Sequence, residues 1–220
     1  MLDFKNTFIK YETLVQGVEK SVAQIREAHP DGIRCVQHCS DCCNAVFDLS
    51  LIESVYINYQ FYGSLNRDLQ DPILDRADRA DRQSYRIRRR ILKMITQGEK
   101  SEEEIFPLLA EERVRCPFLD ESDLCALYGF RPITCRIYGL PTIIRGTGHT
   151  CGNSGFKEGV AYTSINLDRI NQHLQVLSKE MLEEIGTQDN RLEERLVPLS
   201  AVLLTDYDEE YFGLKPVCST

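Results

Sequence analysis

Residues 35–43 read Cys35-Val36-Gln37-His38-Cys39-Ser40-Asp41-Cys42-Cys43, four thiols within nine residues spaced C-x3-C-x2-C-C. Thiolates are soft ligands that suit zinc, copper(I) and iron–sulfur clusters. Close spacing keeps the entropy of assembling a site small, because the loops to be closed are short. Cys42 and Cys43 add a constraint. Adjacent side chains in an extended chain point to opposite sides, so the pair is expected to reach different metal atoms or to leave one thiol unused. That favours a polynuclear cluster or two sites over a single tetrahedral zinc.

A second set of thiols follows much later: Cys116, Cys125, Cys135 and Cys151, with eight, nine and fifteen residues between them. These gaps are wide for a zinc finger, whose ligands come in C-x2–4-C pairs. Arg113, Arg115, Arg131, Arg136 and Arg145 lie close by in sequence. Cations lower thiolate pKa values and offset the charge of an anionic cluster. Arg131 and Arg136 flank Cys135 and are the expected cofactor-contacting pair. The competing reading of the arginines is surface ion pairing with Glu111, Glu112, Asp120 and Glu121. Gly146, Gly148, Gly152 and Gly155 flank Cys151 and would let backbone N–H groups approach sulfur. His38 and His149 read as hydrogen-bonding loop histidines, with metal ligation as the alternative. Cys218 has no partner in sequence and is left out.

The rest of the chain reads mainly as helix. Phe4, Phe8, Tyr11, Val15, Val18, Val22 and Ile25 form an a/d stripe over residues 3–28, closed by Pro30-Asp31-Gly32. The stripe predicts a helix laid on the body of the domain, with pairing of two copies as the alternative. Ser50 and Glu53 form a capping box for a helix to about Tyr62, stopped at Gly63. Asp71-Pro72 predicts the start of the next helix, reaching about Thr96. Ser101 and Glu104 open another, to about Arg113. PFL and CALY, split by the turn-rich DESD of 120–123, predict a short hairpin or two extended arms. Residues 143–156 read as irregular. A last helix starts near Asn166 and ends at Gly186, followed by packing segments. The expected architecture is one mainly α domain, its helices wrapped around an irregular cysteine-rich centre with a short β-hairpin.

Composition narrows the partners. The 220 residues carry 26 Lys+Arg against 34 Asp+Glu, a formal net charge of −8. This argues against a dedicated nucleic-acid binder, which needs a basic face. The one basic tract, Arg76 to Lys93, contains the i,i+4 pairs Asp75/Arg79 and Asp78/Arg82 and reads as a solvated helix face. No apolar run of ~18 residues predicts a membrane span. The N-terminus has no signal-like apolar stretch, so a cytoplasmic, reducing location is expected, where clustered cysteines bind metal or do chemistry.

The cysteine series, with CPFL at 116–119 and the string Arg131-Pro132-Ile133-Thr134-Cys135-Arg136-Ile137-Tyr138, resembles the CxxCxxCC cysteine-cluster family, described as a zinc- or iron-chelating domain. Its flagellin lysine-N-methylase branch is similar and is associated with an iron–sulfur cluster. The resemblance spans about residues 35–151. It implies a metal core of Cys35, Cys39, Cys42, Cys43, Cys116, Cys125, Cys135 and Cys151. It does not reach the flanking helical segments, 3–28 and 165–215.

Four functions compete. A 4Fe–4S iron–sulfur protein with a redox or group-transfer role, working with a redox or protein partner, fits the number of thiols best. A structural zinc adaptor fits the same residues. A radical S-adenosylmethionine enzyme matches only the C-x3-C-x2-C spacing, since Asp41 stands where those enzymes resemble one another in having an aromatic. A nucleotide enzyme lacks its phosphate-binding motif.

Overall fold

A computed structural model of the chain describes residues 2–214 apart from 36, 37, 158 and 188; Cys218 lies outside them. Six α-helices are present among the described residues: α1 Lys5–Ala28, α2 Leu51–Ser64, α3 Arg67–Thr96, α4 Glu102–Glu111, α5 Ile133–Ile137 and α6 Leu167–Ile185. Five short strands join them: β1 Asp48–Leu49, β2 Thr142–Ile144, β3 Thr147–His149, β4 Ile165–Asn166 and β5 Val197–Pro198. β1 pairs antiparallel with β5, while β2 lies between β3 (antiparallel) and β4 (parallel). The fold is therefore mainly α with small sheets, not all α. No described helix is long and apolar enough to cross a membrane.

The stripe of α1 is spent inside the chain. Phe8, Tyr11, Val18, Val22 and Ile25 are buried, and the helix packs on α2, α5 and α6. This face contributes to the domain's own core. α2 begins where its cap predicts, with Ser50 Oγ accepting from Glu53 N. It runs through Gly63 to Ser64, because glycine lowers helix stability without forcing a stop. α3 starts at Arg67, earlier than Asp71-Pro72 predicts. Asn66 caps it through a bond from Leu69 N, and Pro72 lies inside the first turns. α6 has both predicted ends: Asn66's counterpart Asn166 caps its start, and Gly186 ends it in the left-handed region.

The predicted hairpin forms in minimal shape: its arms meet at one antiparallel bridge, Leu119 to Cys125, flanked by bonds from Ala126 N to Phe118 O and from Asp120 N to Leu124 O, both 2.9 Å. A second, longer hairpin, β2–β3, lies in the stretch that reads as irregular. Arg145 and Gly146 both take positive φ, 50° and 74°, the two-residue turn whose twist suits a hairpin. One main core joins α1, α2, the start of α3, α5, α6 and the C-terminal segment. The cysteine loops lie at one end of it.

Candidate metal centre

Local backbone structure explains where the first four thiols point. Cys42–Asn44 is a turn of 3-10 helix, closed by bonds from Cys43 N to Ser40 O and Asn44 N to Asp41 O, both 3.0 Å. Three residues per turn sets successive side chains about 120° apart. Cys42 and Cys43 therefore do not diverge as in an extended chain. Their Sγ atoms are 3.9 Å apart. Two thiolates on one tetrahedral metal, at about 2.3 Å each, would sit roughly 3.8 Å apart. At that separation the pair could share one metal atom, an arrangement open beside those expected from an extended chain.

A strip of backbone pairing then joins the two distant segments. Cys116 N donates to Cys43 O at 2.6 Å, Val114 N donates to Asn44 O at 2.9 Å, and Ala45 bridges Arg113. Cys125 follows the loop in which Asp120 Oδ1 accepts from Ser122 N and Leu124 N, each at 2.8 Å. His38 sits in the left-handed region (φ 69°) with Nδ1 2.8 Å from Ser122 O. It hydrogen-bonds one cysteine loop to the other, as a loop histidine. His149 is exposed on β3.

Cys135 sits on the five-residue α5, which is held from two sides. At its start, Ile133 N donates to Glu53 Oε1 at 2.9 Å. Glu53 also accepts from Tyr11 OH at 3.3 Å and Ser50 Oγ at 3.2 Å. It is 3% exposed, and its burial raises the carboxyl pKa against the pull of these donors. Further along, Arg136 donates to Glu19 of α1 at 2.5 Å, to Gly129 O at 2.6 Å and to Arg131 O at 2.8 Å. Its guanidinium braces the loop that leads into α5. The sequence marks Glu53 only as half of a capping box. Nothing in the pattern signals that its carboxylate also reaches α5.

Cys151 is placed by contacts around Gly155. Gly155 N donates to Gly32 O at 2.8 Å, and a Cβ at Gly155 would lie 2.2 Å from Asp31 O. Cys35 lies against the turn after α5. Gly139 there has φ +91°, and a Cβ on it would meet Cys35 Sγ at 2.9 Å.

All eight cysteines line one cavity of about 880 Å³, within the ~300–1,000 Å³ of ligand-binding pockets. They surround it without converging: among the described residues no three His, Cys, Asp or Glu side chains form a ready-made ligand set for one ion. Cys35 and Cys39 are exposed; the others are half-buried on the cavity wall. Electrostatics tie the set together. The thiol of Cys42 is pushed up by its contact with Cys43 and by burial. Burial raises Cys116 to about 12, and Cys125 and Cys42 add to the rise. Cys135 is raised by burial and then by Cys116, Cys42 and Cys125. Cys35 is raised by burial, Cys39 and Cys151. Burial first, with repulsion between neighbouring thiolates added, favours protonated thiols until a cation offsets both. Arg131 opposes the rise at Cys42, Cys125 and Cys135. It is stacked 3.5 Å from the Tyr128 ring centroid, and its Nε donates to Tyr128 O.

A family model described as "CxxCxxCC: Putative zinc- or iron-chelating domain" matches residues 34–152, just over half of the chain. The chain belongs to the CxxCxxCC family. Zinc or iron chelation by residues within 34–152 is what this membership supports. The family's name spells two-residue gaps, whereas here three residues separate Cys35 from Cys39, and His38 in its left-handed turn lies in that longer gap. Neither a curated protein nor a solved structure matches the chain.

Proposed function

We propose that this CxxCxxCC protein binds a 4Fe–4S cluster in the cysteine cavity and serves in electron or group transfer. The observation that carries the reading is the number of thiols on one cavity wall. A closed structural zinc site needs four ligands, and eight cysteines line this space. The ligand set would be drawn from Cys35, Cys39, Cys42, Cys43, Cys116, Cys125, Cys135 and Cys151. When bound, such a cluster supplies an electron acceptor, or an iron lacking a thiolate to which a substrate group can bind. Arg131 stands beside Cys42, Cys125 and Cys135 and would offset the cluster's negative charge. The exposed Cys35 and Cys39 leave one side open to a redox or protein partner.

Structural zinc is the second reading. The 3.9 Å separation of Cys42 and Cys43 Sγ supports it, since it suits the edge of one tetrahedral ion. An S-adenosylmethionine enzyme rests on the Cys35, Cys39 and Cys42 spacing alone. The loop follows a helix, and the described strands are too short to suggest a β/α barrel. Purification without oxygen, with absorption and with iron, sulfide and zinc quantified, separates these readings. The cluster reading expects brown protein absorbing near ~400 nm with iron and sulfide in similar amounts. Colourless protein carrying only zinc would replace it with the structural reading.

A further inference from the structure

Charge on the cavity wall is unevenly paired. Four arginines, Arg26, Arg34, Arg131 and Arg136, and three carboxylates, Glu19, Asp41 and Asp123, line it. Glu19 is bonded to Arg136, and Asp123 to Arg115. Asp41 accepts from Tyr138 OH at 3.5 Å. Arg26, Arg34 and Arg131 have no carboxylate partner among the described residues. In a chain of net charge −8, which repels anions at long range, three unpaired guanidinium groups on one concave wall form a local exception.

The placement of these groups suits capture of a ligand. Arg131 has its face on the Tyr128 ring and its Nε committed to Tyr128 O. Its two terminal amino groups have no hydrogen-bond partner among the described residues, and these form the fork that matches carboxylate or phosphate oxygens. The ring fixes the plane of that fork, so little rotamer freedom is left to lose on binding. Arg26 and Arg34 line the same cavity, where Arg26 acts on the Cys35 thiol while Arg131 acts on Cys42, Cys125 and Cys135. The cavity is also larger than a single ion needs.

We propose that the cavity binds a small anionic molecule, bearing carboxylate or phosphate groups, through Arg26, Arg34 and Arg131 beside the thiols. If the metal reading also holds, this makes the substrate class anionic. The binding itself does not require that reading.

The test is calorimetric titration of the full-length protein, purified without oxygen, with citrate and separately with inorganic phosphate at constant ionic strength. Metal content is measured on each sample. Arg131→Gln and the pair Arg26→Gln/Arg34→Gln are compared with Arg82→Gln, an exposed arginine paired to Asp78 on α3. We expect saturable binding of one anion per chain to the wild type, weakened about tenfold or more in Arg131→Gln and in the pair, each loss corresponding to a charge-assisted contact. Arg82→Gln should bind as the wild type does. Stronger citrate binding identifies a carboxylate ligand; stronger phosphate binding identifies a phosphate ligand. Three results overturn the inference: neither anion saturates, Arg82→Gln loses as much, or the cavity variants lose metal while anion binding is unchanged. Arginine-dependent anion binding by a protein devoid of metal would leave the inference standing and remove the cluster reading.

Discussion

Glu53→Ala is the perturbation with the clearest expected size. The carboxylate is 3% exposed and accepts from Ile133 N, Tyr11 OH and Ser50 Oγ. Ser50 is only half-buried and can turn to water. Ile133 N and Tyr11 OH are buried and cannot. Each buried donor left without an acceptor costs about 1–3 kcal/mol, so the alanine variant should lose roughly 2–6 kcal/mol. Glu53→Gln keeps a carbonyl oxygen for the two donors and should lie within about 1 kcal/mol of wild type. The pH dependence separates charge from shape. Burial raises the pKa of Glu53, so between the unfolded value and the raised folded value the native state binds the extra proton. Stability is then highest below the unfolded carboxylate pKa and falls as pH rises through the folded one. Glu53→Gln removes that decline, and its stability relative to wild type should therefore rise from pH 4 to pH 8. Urea unfolding at these pH values measures both effects. An alanine variant within 1 kcal/mol of wild type, or a glutamine variant whose difference from wild type does not change with pH, would refute the assigned role.

Four further perturbations have expected outcomes. Arg136→Ala should cost about 1–2 kcal/mol in urea unfolding, mostly from the half-buried bond to Arg131 O, because Gly129 O and Glu19 are exposed and can turn to water; Arg136→Lys, lacking the planar fork, should recover little of it. Gly155→Ala should displace the 151–155 loop, since the new Cβ meets backbone oxygen at 2.2 Å, and should cost roughly 1–3 kcal/mol; Gly139→Ala should cost about 1–2 kcal/mol from its left-handed backbone and reduce metal content by crowding Cys35. Stripping metal should lower the melting temperature, because binding to thiolates contributes folding energy; identical calorimetric scans before and after chelation would contradict a metal at the core of the fold.

The helical frame was legible where the signals were local. Ser50, Ser101 and Asn166 each mark a cap that forms, and the α1 stripe predicts which residues of that helix face inward. The start of α3 was misread because Pro72 is the louder signal, while Asn66 makes the bond that starts the helix. The β2–β3 hairpin goes unsignalled for a related reason: Arg145 carries a positive φ, a conformation its residue type does not advertise. At the site, the resemblance groups the eight thiols that the fold brings to one cavity. The turn that brings Cys42 and Cys43 to the same side could not be read in this way, since it depends on bonds within residues 40–45. The roles of Glu53 and Arg136 were hidden because both act across long sequence separations, on α5 and α1, where pattern carries no information.

The metal content of Cys42→Ala and Cys135→Ala, each purified without oxygen beside the wild type, tests the convergence of the two cysteine segments most directly. One thiol comes from each segment, and both line the same cavity. The account predicts a metal-loaded wild type and substantial loss of iron or zinc in both variants. Full metal retention in both, or a wild type free of iron and zinc, would contradict it.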